Sequence, residues 1–475
     1  MMRFLVDAPR WLLVVSLVFA PWAYGSTRFW AVHALNGLLG GVVALWLGEC
    51  LARRRVPRVP AALLLAVVGL LVQGWWMVFN AHSTYNFVTG EFVPRSSFSA
   101  TLAGSVEAAL SRETMLSYTG LLGVLLFCCD LSRRSIWQKR IWLTLGLTGF
   151  SIALFGIVLK IGGPPVMSLV WDPERLEPAN NFATFRYRAN AGAYLNLVFP
   201  MIAGLTFLTF QKPERPWQKA FWFLALLTLG FGIQLNPSRA SWAIALGIGL
   251  VLTAKAARFY WRERLATERA GLATLYGVIG TALALGILGI VFLGSWETGW
   301  ARIRQAGIDP SSRSPTEVFW KMVPAAGAWG FGPGTFHAKF PEYQESYDFG
   351  DRKVPDYWVN GNWEFAHQDY LQTLIEWGYV GAFAWAVLVV GGVGRGLFLL
   401  ARSRRHLSSH WLLSCSLLGL LGMLAHSFVD FPLQVASLEL FFCVLLGFCW
   451  SSSNPDAEVH HQADQGSPRQ GSDQK

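Results

Sequence analysis

The sequence predicts an all-α polytopic membrane bundle of about twelve transmembrane helices, with a long extramembrane segment between the ninth and tenth. Three observations carry that prediction. The 475 residues are 53% hydrophobic and only 14% charged, where an average globular protein carries roughly 25% charge. Apolar runs long enough to cross a bilayer recur along the chain. The polar connections between those runs alternate in basic content. A mean hydropathy of +0.37 and 23 tryptophans agree, since Trp concentrates at bilayer interfaces.

A helix needs about 20 apolar residues to cross a ~30 Å hydrocarbon core. Runs of that kind fall at about 11–26, 29–50, 60–79, 114–130, 141–161, 190–210, 219–235, 240–257, 272–294, 378–400, 411–429 and 433–451. Residues 11–24, followed by Tyr24-Gly25-Ser26, imitate a signal peptide. Ala20-Pro21-Trp22 is a poor cleavage region, however, and the topology works with this first span retained.

The connections set the orientation. One side carries Arg53-Arg54-Arg55 with Arg58, Arg133-Arg134 with Lys139-Arg140, Lys212 to Lys219, Lys255 to Arg269, and Arg402 with Arg404-Arg405. The short connections opposite hold few basic residues. The positive-inside rule therefore places the first set, and both termini, in the cytoplasm. The net charge of +10 is spread over these connections and points to no nucleic-acid partner. The six cysteines (Cys50, Cys128, Cys129, Cys415, Cys443, Cys449) sit in or beside apolar runs, with no CxxC or Cys/His metal spacing, so neither disulfides nor structural zinc are expected.

Four regions follow: helices one to nine over 1–294, an outer subdomain at 295–377, helices ten to twelve over 378–451, and a tail at 452–475 rich in Ser, Gln, Asp and Gly, expected to be disordered. The outer segment is rich in Gly, Pro, Trp and Tyr. It reads as turns and short helices without strand alternation.

Charges at the edge of spans are expensive, so they are functional candidates. Arg186 and Arg188 flank the start of the span near 190–210. Two arginines spaced i, i+2 at a helix start can hold one oxyanion, helped by free backbone N–H groups; topological anchoring is the competing reading. Arg239 begins a helix after the tight turn Asn236-Pro237-Ser238, where either a lipid phosphate or a substrate phosphate suits its guanidinium. From Asp369 the apolar positions 370, 371, 374 and 375 mark one face of a helix lying along the membrane surface. His367, at its start, suits a general base near neutral pH, with Asp369 to orient or charge-balance it; a surface histidine without chemistry is the plainer reading. Gly330-Phe331-Gly332-Pro333-Gly334 is a rigid turn but not a phosphate loop, since no Lys-Ser/Thr follows. His426 ends a span in the outer turn His426–Pro432 and has a structural reading as well.

Taken together and in order, Arg186–Pro200 (RYRANAGAYLNLVFP), Ser238-Arg239-Ala240-Ser241-Trp242, Gly330–Tyr343 (GFGPGTFHAKFPEY), Ala366–Gly381 (AHQDYLQTLIEWGYVG) and His426–Leu433 (HSFVDFPL) give a pattern that resembles the O-antigen ligase / O-antigen polymerase superfamily. The resemblance covers about 180–435; the first five spans match only in hydropathy. It implies a glycosyltransferase that moves a glycan from an undecaprenyl-diphosphate carrier to an acceptor hydroxyl. Transfer would take place at the periplasmic face of the bacterial inner membrane, with no metal and no other cofactor. Ligases of the family use a lipid A core sugar as acceptor, polymerases another carrier-linked repeat unit, and related enzymes a protein Ser or Thr. These motifs do not separate the branches; the outer segment with its His-x-Asp-Tyr helix reads best as ligase-like. By resemblance, Arg186 or Arg188 and Arg239 bind diphosphate, His367 acts on the acceptor hydroxyl, and Asp369 and Tyr370 complete its motif. Gln368 stands where Asn is common. Arg313 is a further candidate phosphate contact, and His426 a further candidate at the site. A transporter would predict internal pseudo-symmetry and charges near the bilayer midplane; the sequence has no such repeat, and its candidate charges gather on one face.

Overall fold

The structure is a computed structural model that describes residues 2–86, 88–89, 91–132, 135–212, 215–266, 315–348, 356–402 and 407–451. Its membrane-length helices are α1 (Met2–Trp22), α2 (Phe29–Ala52), α3 (Ala61–Phe79), α4 (Ala108–Leu131), α5 (Ser135–Met167), α6 (Arg188–Phe210), α7 (Pro216–Leu235) and α8 (Arg239–Ala266). After the short helices α9 (Thr316–Ala326) and α10 (Phe336–Glu345) come α11 (Asp369–Arg402), α12 (Leu407–His426) and α13 (Ala436–Trp450). Among the described residues nine helices, α2 to α8 with α11 and α12, are long and apolar enough to cross a membrane. The expected spans at 11–26 and 433–451 fall on α1 and on the 15-residue α13. The expected span at 272–294 lies outside the described residues, as do Arg313 and the tail at 452–475.

The chain is a mostly helical, polytopic membrane protein, and its surface says why. Leu65, Val72, Ile161 and Phe383 are each more than 60% exposed. Water would penalise such a belt of bare aliphatic and aromatic side chains, and lipid does not. The interior is centred on α6 and α13. Tyr194, Leu195 and Leu197 of α6 and Leu438, Phe441 and Leu445 of α13 are fully or almost fully buried. Helices α5, α7, α8 and α12 pack around α6, while α4 and α11 pack against α13.

The two ends of the bundle differ in chemistry. At one end Arg10 is buried and its Nη2 donates to Glu49 Oε1 and Oε2 at 3.3 and 3.2 Å, joining α1 to α2. Arg55 then joins this end to α4 through Asp130, at 2.8 Å. The other end carries every long described connection. Between α3 and α4 a two-stranded hairpin, β1 (Ser83–Asn86) with β2 (Glu91–Pro94), pairs Tyr85 with Phe92. The all-α expectation held no strand here. Four-residue strands are too short to show a period in the sequence, and it is the cross-strand aromatic contact that marks them.

Beyond this same end α9, α10 and the start of α11 enclose a second, smaller core. Phe319 packs edge-on against Phe336 and Phe340 (5.3 and 5.2 Å between ring centres), with Trp363, Leu371 and Ile375 around them. The segment expected at 295–377 thus has its own apolar centre over its described residues. The helix beginning at Asp369 breaks at Gly378 (φ 63°, ψ −172°) before the long apolar run continues.

Candidate functional site

His367 sits at the meeting point of the small core and the bundle. Its backbone is left-handed (φ 51°), a conformation that costs a non-glycine residue on the order of 1–3 kcal/mol and persists only where neighbours hold it. Two backbone bonds on either side do so: Ala366 N donates to Gln372 Oε1 at 3.1 Å, and Asp369 N donates to Ser427 O at 3.1 Å. The imidazole is thereby turned against the 426–434 turn. Its Nδ1 lies 3.3 Å from Asp430 Oδ1, and Phe431 and Trp363 meet its ring edge-on at 4.7 and 5.6 Å. Asp430 also accepts from Tyr187 Oη at 3.3 Å and from Phe431 N at 3.1 Å. Tyr187, the residue before α6, stacks on Phe431 within 5° of parallel. A carboxylate on Nδ1 favours the tautomer protonated there and leaves Nε2 as a proton acceptor.

Asp369 stands elsewhere than the sequence suggests. It is buried, and its Oδ2 accepts from Leu433 N at 3.0 Å and its Oδ1 from Gln434 Nε2 at 3.3 Å. It therefore ties the start of α11 to the 426–434 turn, and the carboxylate at His367 is Asp430 instead. Tyr370 works in the same direction, its hydroxyl donating to Leu424 O at 2.6 Å. Glu376, seven residues after Asp369, accepts from Gly334 N (2.8 Å), Phe336 N (3.3 Å) and Gln372 Nε2 (3.0 Å). It so holds the glycine-rich turn at the start of α10. Asp369, Gln372, Thr373 and Glu376 form a polar stripe at helical spacing on an otherwise apolar helix. That stripe was the sequence signal for Glu376. His426 is fully buried, and neither of its ring nitrogens has a hydrogen-bond partner among the described residues.

A cavity of about 720 Å³ opens at this end of the bundle, within the range of about 300–1,000 Å³ usual for ligand sites. Its lining includes His367, Arg186, Tyr187, Asn190, Trp363 and Phe365, together with Arg28 from the α1–α2 turn, Glu113 and Tyr118 of α4, and His337 of α10. Burial lowers the imidazole pKa of His337 from its ordinary value, against the opposing pull of the Glu364 and Glu107 charges. Arg28, Glu113, His337 and Asp430 were not singled out by sequence reasoning. Only Asp430 and His337 lay inside a quoted motif.

The arginines divide into two places. Arg186 is exposed and lines the cavity. Arg188 is the first residue of α6 and lies within electrostatic range of Lys160 on α5. Its carbonyl accepts from Asn236 Nδ2 at 2.9 Å, which puts it beside the turn leading to Arg239, the half-buried first residue of α8. Ser241 Oγ to Gly192 O (3.2 Å) and Asn196 Nδ2 to Ser241 O (2.9 Å) stitch those two helix starts together. Arg313 lies outside the described residues.

Among the described residues no three His, Cys, Asp or Glu side chains gather to hold a metal ion. The fold and this cavity define a polytopic helical membrane protein with a polar, aromatic-walled site at one end of its bundle. No protein-family model matches the chain, and no curated protein matches it.

Proposed function

We propose that this protein is an O-antigen ligase-like glycosyltransferase. It moves a glycan from an undecaprenyl-diphosphate carrier to an acceptor hydroxyl, a sugar of the lipid A core, at the periplasmic face of the inner membrane. In this reading twelve helices span the bilayer, both termini are cytoplasmic, and the cavity opens to the periplasm. The observation that carries it is His367, 3.3 Å from Asp430 and lining one cavity with Arg186. A histidine whose Nδ1 is held by a carboxylate can take a proton from an acceptor hydroxyl at Nε2 as that oxygen attacks the anomeric carbon. The bond that breaks is the one from that carbon to the carrier diphosphate. The diphosphate leaves with added negative charge, which fixed guanidinium groups stabilise. That Arg186 lines the cavity supports this role, and Arg239 and Arg188 are carried as further diphosphate contacts by the family resemblance.

The test is expression in a strain that lacks its own O-antigen ligase but makes carrier-linked O-antigen. The lipopolysaccharide is run on a gel beside Arg239→Ala and His367→Ala variants at matched membrane expression. A restored ladder that both substitutions abolish is the expected result. A ladder that survives both would sink the site assignment. The absence of a ladder with every matched donor and core acceptor would turn the reading toward repeat-unit polymerisation, assayed as chain length on the carrier.

A further inference from the structure

Helix α3 turns one face to lipid. Leu65, Val68, Val72, Trp76 and Phe79 follow one another at three or four residues, so they form a single stripe along the helix, and all five are exposed. Leu63, Val67, Leu70 and Met77 are buried, on the side where α4 and α11 pack. The stripe ends in Trp76 and Phe79 at the cavity end of the bundle, and a tryptophan is suited to the level where hydrocarbon gives way to headgroups.

The connection that follows α3 stays beside this stripe. Trp76 Nε1 donates to Ala103 O at 3.0 Å, and Ser105 N donates to Met77 O at 2.9 Å. Asn80, fully buried at the end of α3, donates from Nδ2 to Ser99 O, Leu102 O and Ala103 O (3.1, 3.0 and 3.1 Å) and accepts from Ser99 N at 2.8 Å. A Cβ on Gly104 would collide with Asn80 O, so only glycine allows this approach. Residues 99–105 are thus folded back over the last turn of α3. Phe98 and Leu102 project from that fixed backbone 80% and 53% exposed, and they belong to neither apolar core. Single bare apolar residues are common on any surface, but these two extend a stripe that acyl chains already cover.

We propose that residues 98–102 are an interfacial anchor, with Phe98 and Leu102 inserted at the boundary between headgroups and acyl chains of the leaflet at the cavity end. Side chains seated there reach about 5–10 Å into that boundary. The same segment runs on to the site. Val106 N donates to Phe331 O at 2.9 Å, and Ser111 Oγ donates to Pro333 O at 2.8 Å. What holds residues 98–102 at the leaflet therefore also ties the glycine-rich turn to it. The anchoring does not depend on the reaction carried out in the cavity.

The experiment uses the full chain in phosphatidylcholine nanodiscs. All six native cysteines are buried, so a thiol-reactive NBD fluorophore reports one introduced site in Phe98→Cys, Leu102→Cys or Val72→Cys, with the unsubstituted chain as labelling blank. Quenching is read with nitroxide lipids labelled on the fifth or the twelfth acyl carbon, and with aqueous iodide. Labels at Phe98 and Leu102 are expected to lose roughly half of their emission or more to the fifth-carbon lipid and clearly less to the twelfth-carbon lipid, the order an interfacial depth gives. A label at Val72, midway along α3, should show the reverse order. Emission at either site that iodide quenches and neither lipid touches would place the segment in water and overturn the proposal. Protection from iodide and from both lipids would overturn it in favour of a protein cover such as a second copy. Quenching strongest by the twelfth-carbon lipid would overturn it as well, by placing the segment in the hydrocarbon core.

Discussion

Gly330 and Gly378 press backbone against backbone: a Cβ on Gly330 would sit 2.6 Å from the nitrogen of Gly378, and one on Gly378 would sit 2.4 Å from the nitrogen of Gly330. Both have positive φ, 80° and 63°. Around them Phe331 N donates to Ile375 O (3.0 Å), Gly332 N to Glu376 O (3.0 Å) and Val380 N to Ala328 O (3.0 Å). The glycine-rich turn is thus zipped onto the bend of α11. Gly378→Ala is expected to cost on the order of 1–3 kcal/mol from its backbone conformation alone, with the steric clash added. It should lower the melting temperature in detergent and abolish transfer. Gly394, on the same helix with open space around it, is the control: Gly394→Ala should leave melting unchanged or slightly raised. Equal melting temperatures for the two variants would refute the close-contact account.

Asp430 should matter to the chemistry and Asp369 to the framework. Asp430→Asn keeps the shape but removes the charge that fixes the His367 tautomer. Transfer is expected to fall by roughly 10²-fold or more, with His367→Ala/Asp430→Asn no worse than His367→Ala alone. Asp369→Asn, which weakens the bonds to Leu433 N and Gln434, should act mainly by lowering thermal stability. Initial rates of glycan transfer on purified protein, paired with melting curves, separate the two roles. Additive losses in the double variant would show that the two side chains do not act as a unit.

His337 gives a pH dependence with a definite sign. Burial lowers its pKa in the folded chain below the ordinary value of 6.5, so at mildly acidic pH the unfolded chain binds a proton that the folded chain resists. Stability is then lost as pH falls below about 6.5. His337→Gln should flatten the decline in melting temperature between pH 7 and pH 5. An unchanged slope in the variant would place the acid sensitivity elsewhere.

Nine of the spans were legible because bilayer thickness imposes a length that hydropathy alone reveals. Arg186 and His367 were legible as costly or reactive groups at the edge of spans. Asp430 was not, though it stood in the quoted turn, because its partner is 63 positions earlier and only packing brings the two to 3.3 Å. The same holds for the donors to Asp369 and Glu376. Each carboxylate accepts from at least one backbone N–H on a remote turn, a pairing that no local pattern encodes. Arg28 and Glu113 look like ordinary interfacial charges until the cavity joins their helices.

At the opposite end the buried pair Arg10–Glu49 predicts an asymmetric outcome. Glu49→Gln takes one carboxylate from a buried guanidinium that keeps Asp7 at 3.4 Å and is expected to destabilise by roughly 1–3 kcal/mol. The double variant Arg10→Met/Glu49→Leu removes both charges and should recover most of that loss. Melting of the three proteins in one detergent checks it. A double variant less stable than Glu49→Gln would mean that the pair is worth more than its desolvation.

The division of the arginines gives the sharpest expectation about substrate. Arg186 lines the cavity that holds His367, whereas Arg188 is outside that lining and within electrostatic range of Lys160. With carrier-linked donor varied in an in vitro transfer assay, Arg186→Ala is expected to raise KM roughly 10- to 100-fold, the loss of a charge-assisted hydrogen bond. Arg186→Lys should recover only part of that, because an ammonium cannot grip a phosphate bidentately. Arg188→Ala should move KM less than Arg186→Ala does, since Arg188 does not line that cavity. If Arg188→Ala proves the more damaging at equal stability, the diphosphate sits on the α6–α8 side with Arg239, and the cavity beside His367 holds acceptor alone.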